Sequence, residues 1–354
     1  MMGSFTSNAF PPLLQKWFNK KGWKFHTHQI QMNEAYQANQ SVLLTAPTGG
    51  GKTLSGFLPV LAALSQSNFS GLHTLYISPL KSLTNDVQRN LLIPIKEMDL
   101  EISVETRTGD TSSYRRKRQG IKPPHILLTT PESLMIMLSY TNCQLVFKDL
   151  KLIIIDEIHS FVTSKRGDFT ALALAHLRKI APKHLRFGLS ATVPYPEEIC
   201  GWLNGPLRPA RHIHANIKKS YDINIIASKK PIPLSGYSGN YAIEEIYKII
   251  AGSKCCLIFL NVRSKAEELF HELWKMNSKN LSIALYHGSL SKDQRLLTEA
   301  YMAKNKLRAV VSTSALELGI DWGDVDHVIQ VGAPKGLSRL IQRIGRSNHN
   351  LNQP

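Results

Sequence analysis

The stretch SVLLTAPTGGGKT, residues 41–53, decides the fold. Its first part is a short apolar run suited to a buried strand, and its middle is rich in glycine. Lys52 and Thr53 then open LSGFLPVLAAL, an apolar periodic segment suited to a helix. Strand, glycine loop and helix in that order make a phosphate-binding loop. Thr48, Gly49, Gly50 and Gly51 let backbone N–H groups approach phosphate oxygens, Lys52 brings positive charge to the β and γ phosphates, and Thr53 offers a hydroxyl to Mg²⁺. Ala46 stands where the general pattern has its first glycine. A plain flexible turn would need neither the Lys-Thr pair nor the flanking strand and helix.

The same grammar recurs on both sides. HTLYISPLKS, HILLTTPES, KLIIIDEIHS and RFGLSATV each run from an apolar stretch into small or polar residues, as buried parallel strands with C-terminal loops do. Between them lie helical periods such as GDFTALALAHLRKI, Gly167 to Ile180. Alternation of this kind predicts an α/β fold with mostly parallel sheets flanked by helices. The pattern lapses over about residues 205–240, which include KKPIPLSGYSG, and resumes with KCCLIFLNVRS, LSIALYHGSLS, LRAVVSTSALELG and DHVIQVGAPKG. Two tandem domains are therefore expected, residues 1–212 and 213–354, both offering ligands the carboxyl ends of their strands.

Length and charge agree. A chain of 354 residues can bury two cores, and its net charge of +17, from 43 Lys+Arg against 26 Asp+Glu, points to a polyanionic partner, nucleic acid before membrane. No stretch has the apolar length that a bilayer requires, and MMGSFTSNAFPPLL lacks the features of a signal peptide, so a cytoplasmic protein is expected. Cys143, Cys200, Cys255 and Cys256 have neither CxxC spacing nor a histidine cluster beside them, which reads as structural cysteine rather than zinc or disulfide.

IIIDEIH, Ile153 to His159, puts two carboxylates directly after an apolar strand. Downstream of a phosphate loop this pair suits phosphoanhydride hydrolysis: Asp156 to hold Mg²⁺, Glu157 to polarise the attacking water. The other loop clusters suggest what hydrolysis drives. SPLKSL with Pro79 and Lys81, RTGDT with Thr108 and Gly109, and TTPES with Thr130 and Pro131 supply donors for phosphate contacts. Taken singly, each is better explained by an ordinary turn.

In their order these segments resemble superfamily 2 helicases of the DExH kind. WFNKKGW, APTGGGKTLSGFLP, ETRTGDTSSYRRKRQ, ILLTTPESL, SKRGD, GLSATV, NLSIALYHGSL, LGIDWGDVD and GAPKGLSRLIQRIGRSNH are most similar to the Lhr type, especially its ligase-associated DNA damage response branch. The resemblance spans residues 17–349. It implies two RecA-like lobes, ATP and Mg²⁺ as cofactors, and a single strand lying across both lobes. It further implies that Gln29 reads adenine, that Gly319 and Asp321 face the nucleotide, and that His159, Ser190 and Thr192 couple nucleotide state to strand binding. Asn261, Arg263, His287, Gly288, Ser289, Thr313 and Ser314 would lie along the nucleic acid. Lhr-type proteins continue into winged-helix and further domains, so a shortened form is expected.

QRIGRSNH would bring arginines to the γ-phosphoryl group, with Arg346 the main candidate and Arg343 a helper or a phosphate contact. The wider family pattern has another arginine where His349 stands, and NVR replaces NTR at residues 261–263. YRRKR, residues 114–118, is open to two readings, a nucleic-acid contact or a solvated helix face. Trp202, Trp274 and Trp322 are expected to pack, and His212 and His214 to lie in the linker without metal. The resulting expectation is a helicase or translocase with nucleic-acid-stimulated ATPase, acting 3′ to 5′ on single-stranded or tailed DNA, with RNA left open. Its setting would be DNA repair, with a ligase or nuclease as partner. The rivals are an ATP-driven translocase that does not unwind and a non-hydrolysing nucleic-acid-binding fragment.

Overall fold

The computed structural model describes residues 9–347 apart from 163, 218–220, 227, 229, 231–238, 317–324 and 335. It forms two compact units that divide after Ile217. The first contains α1 (Pro12–Lys21), α2 (Thr27–Gln37), β1 (Val42–Thr45), α3 (Lys52–Leu64), β2 (Thr74–Ile77), α4 (Lys81–Glu97), β3 (Val104–Arg107) and α5 (Ser113–Ile121). It continues with β4 (Ile126–Thr129), α6 (Pro131–Leu138), α7 (Cys143–Phe147), β5 (Leu152–Ile155), α8 (His159–Val162), α9 (Lys165–Ile180), β6 (Leu185–Ser190), α10 (Pro196–Asn204) and β7 (Arg211–His214). The second contains α11 (Ile243–Gly252), β8 (Cys256–Phe259), α12 (Arg263–Lys275), β9 (Ile283–Tyr286), α13 (Lys292–Ala303), β10 (Ala309–Ser312), β11 (His327–Gln330) and α14 (Leu337–Ile344).

Among the described residues the first sheet has the order β3-β4-β2-β5-β6-β1-β7 and the second β11-β8-β10-β9, every pair parallel. The expected α/β class holds in both units. Continuous apolar runs are required because both faces of each sheet are covered. Alternate residues then serve opposite cores: Val42, Leu44 and Ile154 pack on one face of the first sheet, Leu43, Ile153 and Ile155 on the other. The second sheet repeats the device, with Ile258 and Val311 on one face and Leu257 and Val310 on the other.

The stretch around residue 212 differs from expectation. His212 and His214 lie on β7, which pairs with β1 in the register Leu43↔His212 and Thr45↔His214, rather than in a linker. Both imidazoles meet the Thr45 hydroxyl, Nε2 of His212 at 2.9 Å and Nδ1 of His214 at 3.0 Å. Among the described residues no group of three or more His, Cys, Asp or Glu side chains could hold a metal ion. All four cysteines are buried free thiols. Trp202 packs against the first unit's core, Trp274 is 57% exposed, and Trp322 lies outside the described residues. No described helix is long and apolar enough to cross a membrane.

Candidate nucleotide and nucleic-acid sites

In a parallel sheet all carboxyl ends share one edge. Those of β1, β5 and β6 sit side by side and bring three loops together: residues 46–51, the Asp156-Glu157 pair, and Ser190 to Thr192. The phosphate loop is shaped by positive φ at Gly49 (76°) and at Gly51 (68°), which caps α3. Gly50 has no room for a side chain, since a Cβ there would lie 2.9 Å from the Pro47 carbonyl oxygen and 3.0 Å from Ile217 Cδ1. His28, from α2, braces the loop through Nε2, 3.1 Å from the Gly50 carbonyl oxygen. Burial, with neighbouring His26, lowers its pKa to about 4, so it donates as the neutral ring.

Lys52 Nζ is 4.0 Å from Glu157 Oε1, and both side chains are buried. Asp156 accepts two neutral donors, the Tyr76 hydroxyl on Oδ2 at 2.6 Å and the Glu157 N–H on Oδ1 at 2.8 Å. Burial, then the adjoining Glu157 carboxylate, raises the Asp156 pKa above the usual carboxylate range. An anion held by neutral donors in that setting is poised for a cation, so Asp156 suits the Mg²⁺ expected of it. Tyr76 gave no sequence signal beyond being a tyrosine in a buried strand, where its hydroxyl needs a partner.

Glu157 itself is held at φ 48°, a left-handed conformation uncommon outside glycine. Such strain, on the order of 1 kcal/mol, persists where surrounding bonds enforce it, and it clusters at functional sites. Here the flanking Ile158 N–H donates to Leu189 O at 3.0 Å and Ser160 N–H to Glu157 O at 2.8 Å. Beyond it, His159 Nδ1 lies 2.8 Å from Ser190 Oγ and 3.5 Å from Glu157 Oε2. Ser190 Oγ donates to Thr192 O at 3.0 Å, which leaves it to accept from the His159 ring. Burial lowers the His159 pKa, so the ring is neutral and makes this bond as its Nδ1–H tautomer. The three residues expected to couple the two sites thus form one chain leading away from Glu157.

Gln29 is fully buried; its Oε1 accepts the His26 N–H at 2.9 Å, and its Nε2 has no hydrogen-bond partner among the described residues. A buried orphan donor costs about 1–3 kcal/mol, so a ligand acceptor beside it would be stabilising. Gly319 and Asp321 lie outside the described residues.

The ends of β2, β4 and β3 occupy the other part of the same edge and gather the expected strand contacts. They divide by depth. Lys81 and Gly109 are exposed, whereas Pro79, Thr108, Thr130 and Pro131 are buried. Thr108 shapes its loop from within: its N–H donates to Thr111 Oγ1 at 2.9 Å and its hydroxyl accepts from the Asp110 N–H at 3.3 Å. Lys81 Nζ pairs with Asp110 Oδ1 at 2.9 Å. Arg116, which its motif did not single out, donates to the carbonyls of Thr108 (3.3 Å) and Gly109 (2.8 Å) and so holds this loop.

In the second unit Asn261, Arg263, Gly288, Ser289 and Ser314 are exposed at the carboxyl ends of β8, β9 and β10, while His287 and Thr313 are buried beneath them. Arg263 donates to Ser289 Oγ at 2.5 Å, and His287 Nε2 lies 2.9 Å from Glu267 Oε1. Arg343 departs from the expected role. Its guanidinium, 1% exposed, donates to Asn261 Oδ1 at 3.1 Å and Gln330 Oε1 at 2.6 Å and lies over the Phe259 ring, 5.2 Å from the centroid. These partners employ it inside its own unit. Arg346 is also buried, at 4%.

Comparison with known proteins agrees with this geometry. The family model described as DEAD/DEAH box helicase matches residues 26–199, and that of the helicase conserved C-terminal domain matches residues 241–349. An ATP-dependent helicase Lhr-Core from Saccharolobus solfataricus is 38% identical over 97% of this chain, which covers 42% of that relative. The chain belongs to the DEAD/DEAH box helicases, in their Lhr-type branch. An Lhr helicase/uracil glycosylase of Escherichia coli is 32% identical over 98% of the chain and is itself covered to 27%. Among solved structures, Mycobacterium smegmatis helicase Lhr bound to ssDNA and AMP-PNP matches with a TM-score of 0.86 at 33% identity, covering 98% of this chain and 47% of that one. The DUF1998 helicase MrfA bound to DNA matches with a TM-score of 0.80 at 25% identity, covering 97% and 50%. The chain thus spans about half, or less, of these four relatives, and both of its units have the RecA-like fold of this family.

Proposed function

We propose that this chain is an ATP-driven nucleic-acid motor in which strand binding at one part of the sheet edge controls hydrolysis at the other. The observation that carries the reading is the continuous run Lys52, Glu157, His159, Ser190, Thr192 along the carboxyl ends of β1, β5 and β6. A triphosphate in the loop competes with Glu157 for Lys52 and leaves that carboxylate to orient a water at the γ-phosphorus and take its proton. His159, kept neutral by burial and oriented by Ser190, fixes where the Glu157 carboxylate can lie. Gln29 Nε2 donates to the base. Thr53 and Asp156 would hold Mg²⁺, which would draw charge from the phosphate oxygens. Arg346 is the cation assigned to the developing γ-phosphoryl charge, with Gly319 and Asp321 on the nucleotide path.

On this reading the exposed set Lys81, Gly109, Asn261, Arg263, Gly288 and Ser314 touches the sugar-phosphate backbone, with Pro79, Thr108, Thr130, Pro131, His287 and Thr313 supporting it from below. Such contacts do not read sequence. The ssDNA bound by the mycobacterial relative supports DNA as the strand. The motif resemblance supports 3′ to 5′ as the direction and DNA repair as the setting, with a ligase or nuclease as partner, and the proposed location is the cytoplasm.

The test is ATP turnover with and without single-stranded DNA. Stimulation is expected in the wild type, and Glu157→Gln should lower stimulated turnover at least about 100-fold while ATP binding is kept, as for loss of a general base. Equal turnover with and without the strand, or a Glu157→Gln protein of wild-type rate, would sink the proposal. Release of a labelled strand from a 3′-tailed but not a 5′-tailed duplex tests the direction.

A further inference from the structure

The helix α5 reads SYRRKRQGI and carries four consecutive basic residues without an acid. Two are employed internally, Arg116 on the Thr108-Gly109 loop and Arg118 on Glu105. Arg115 and Lys117 are exposed and have no ion-pair partner among the described residues, and Tyr114 beside them is 77% exposed. Under the helix lies a cavity of about 370 Å³ lined by Arg107, Arg116, Lys117, Met137, Tyr140 and Phe147. Its volume is within the range of small-ligand sites. The Arg107 guanidinium stands 5.6 Å from the Tyr140 ring centroid, and Tyr140 is 42% exposed. An aromatic and apolar floor under a cationic rim suits a planar base joined to phosphate.

The position of this site says which polyanion it meets. β3 is the outer strand of the first sheet, and its loop passes through Thr108 and Gly109 directly into α5. A strand crossing the ends of β2, β4 and β3 leaves the sheet there, onto the first turns of α5. The Arg116 bonds to the Thr108 and Gly109 carbonyls make loop and helix one rigid piece. We propose that α5 and the cavity beneath it bind the segment of single-stranded nucleic acid that has run off the β3 edge, with one base against Tyr140 and its phosphates at Arg115 and Lys117. The site rests on the reading that the strand crosses that edge, and it extends the footprint beyond the motor residues.

The experiment compares oligo-dT of about 8 and about 16 nucleotides, lengths within the range of single-strand sites, by fluorescence anisotropy over a salt series. The full chain is used as wild type, Arg115→Gln/Lys117→Gln and Tyr140→Ala. The short oligonucleotide should bind all three equally. The long one should bind wild type more tightly than the short one, and should lose about 10-fold in affinity in each variant. Its log-log salt slope should shrink by roughly 1.4 in the double variant, as for two lost single-strand phosphate contacts. Abasic positions at the outer end of the long oligonucleotide should weaken the wild type and leave Tyr140→Ala unchanged. Equal losses at both lengths, or no loss at either, would overturn the α5 site. So would variants that bind oligonucleotides normally yet fail to bind an acidic, phenylalanine-containing peptide that the wild type holds, since the patch would then be a protein-docking surface. A wild type that neither binds the short oligonucleotide nor raises its ATP turnover with it removes the motor reading and this site together, whereas unaltered long-strand binding in the variants removes this site alone.

Discussion

Arg343 and Arg346 are three positions apart, both buried, and chemically identical. Arg343 ties Asn261, after β8, to Gln330, at the end of β11, and rests on Phe259. Charged hydrogen bonds and a large buried volume are lost together in Arg343→Ala, so the second unit should be destabilised by roughly 3 kcal/mol. Arg346→Gln should lower stimulated ATP turnover about 1,000-fold, the scale of an arginine finger. Calorimetry beside steady-state ATPase distinguishes them. A turnover defect in Arg343→Ala that remains well below its melting transition and exceeds that of Arg346→Gln would reverse the assignment. QRIGRSNH shows two arginines in a helix-like period, but nothing in it says which faces Gln330, because that partner arrives from a strand 13 residues earlier.

The short helix α8 begins at His159, so whatever fixes α8 also fixes the bond from His159 to Ser190. Its far end is welded to α9 by Ser164, whose Oγ donates to Phe161 O at 2.9 Å and accepts the Gly167 N–H at 3.2 Å. A Cβ on Gly167 would lie 1.9 Å from the Phe161 carbonyl oxygen, a collision with backbone that no rotamer relieves. Gly167→Ala should therefore cost about 2–3 kcal/mol and also reduce strand-stimulated ATPase, although residue 167 is expected to touch no ligand. Gly201→Ala is the matched control, since a Cβ within α10 meets nothing within 4 Å; it should be neutral or stabilising by up to about 1 kcal/mol. Equal melting temperatures for the two variants would refute the weld. At this scale the buried strands and the phosphate loop were readable because each is a local pattern: an apolar run, then glycine or a carboxylate pair. β7 was not, because RHIH has one buried residue in four and becomes a strand only through its pairing with β1. For the same reason the strand contacts could be named but not layered. Whether Thr108 or Gly109 faces outward depends on Thr111, Asp110 and Arg116 closing the loop from within.

Across the whole molecule, net charge favours nucleic acid, while acid stability is set by histidines buried in the first unit. Burial lowers His28, His73 and His184 to a pKa of about 4 each. His184 is bound to stay neutral, because its Nε2 accepts from the Arg186 guanidinium at 3.0 Å while its Nδ1 lies 2.7 Å from the Ala181 carbonyl oxygen. His73 is enclosed by Tyr36 OH at 3.2 Å and Thr74 Oγ1 at 2.7 Å. An unfolded histidine titrates near 6.5, so between about pH 6.5 and 4 the unfolded chain binds protons that the folded unit refuses. The stabilisation is complete above pH 6.5 and is lost as pH falls towards 4. Asp156 acts in the opposite sense, since its raised pKa lets the folded state take up a proton first. These three against one, with His159 and His212 adding in the same sense, leave an excess of on the order of two or more protons taken up on unfolding near pH 5. Calorimetry of the metal-free protein between pH 6.5 and 5 should show the first unit's transition moving down by roughly 2–3 kcal/mol per pH unit. His184→Gln should flatten that slope by about one proton, whatever its effect on stability at pH 7. A first-unit transition independent of pH over this range would mean that the three rings are hydrated in solution, and the enclosed environments of His28, His73 and His184 would then be wrong.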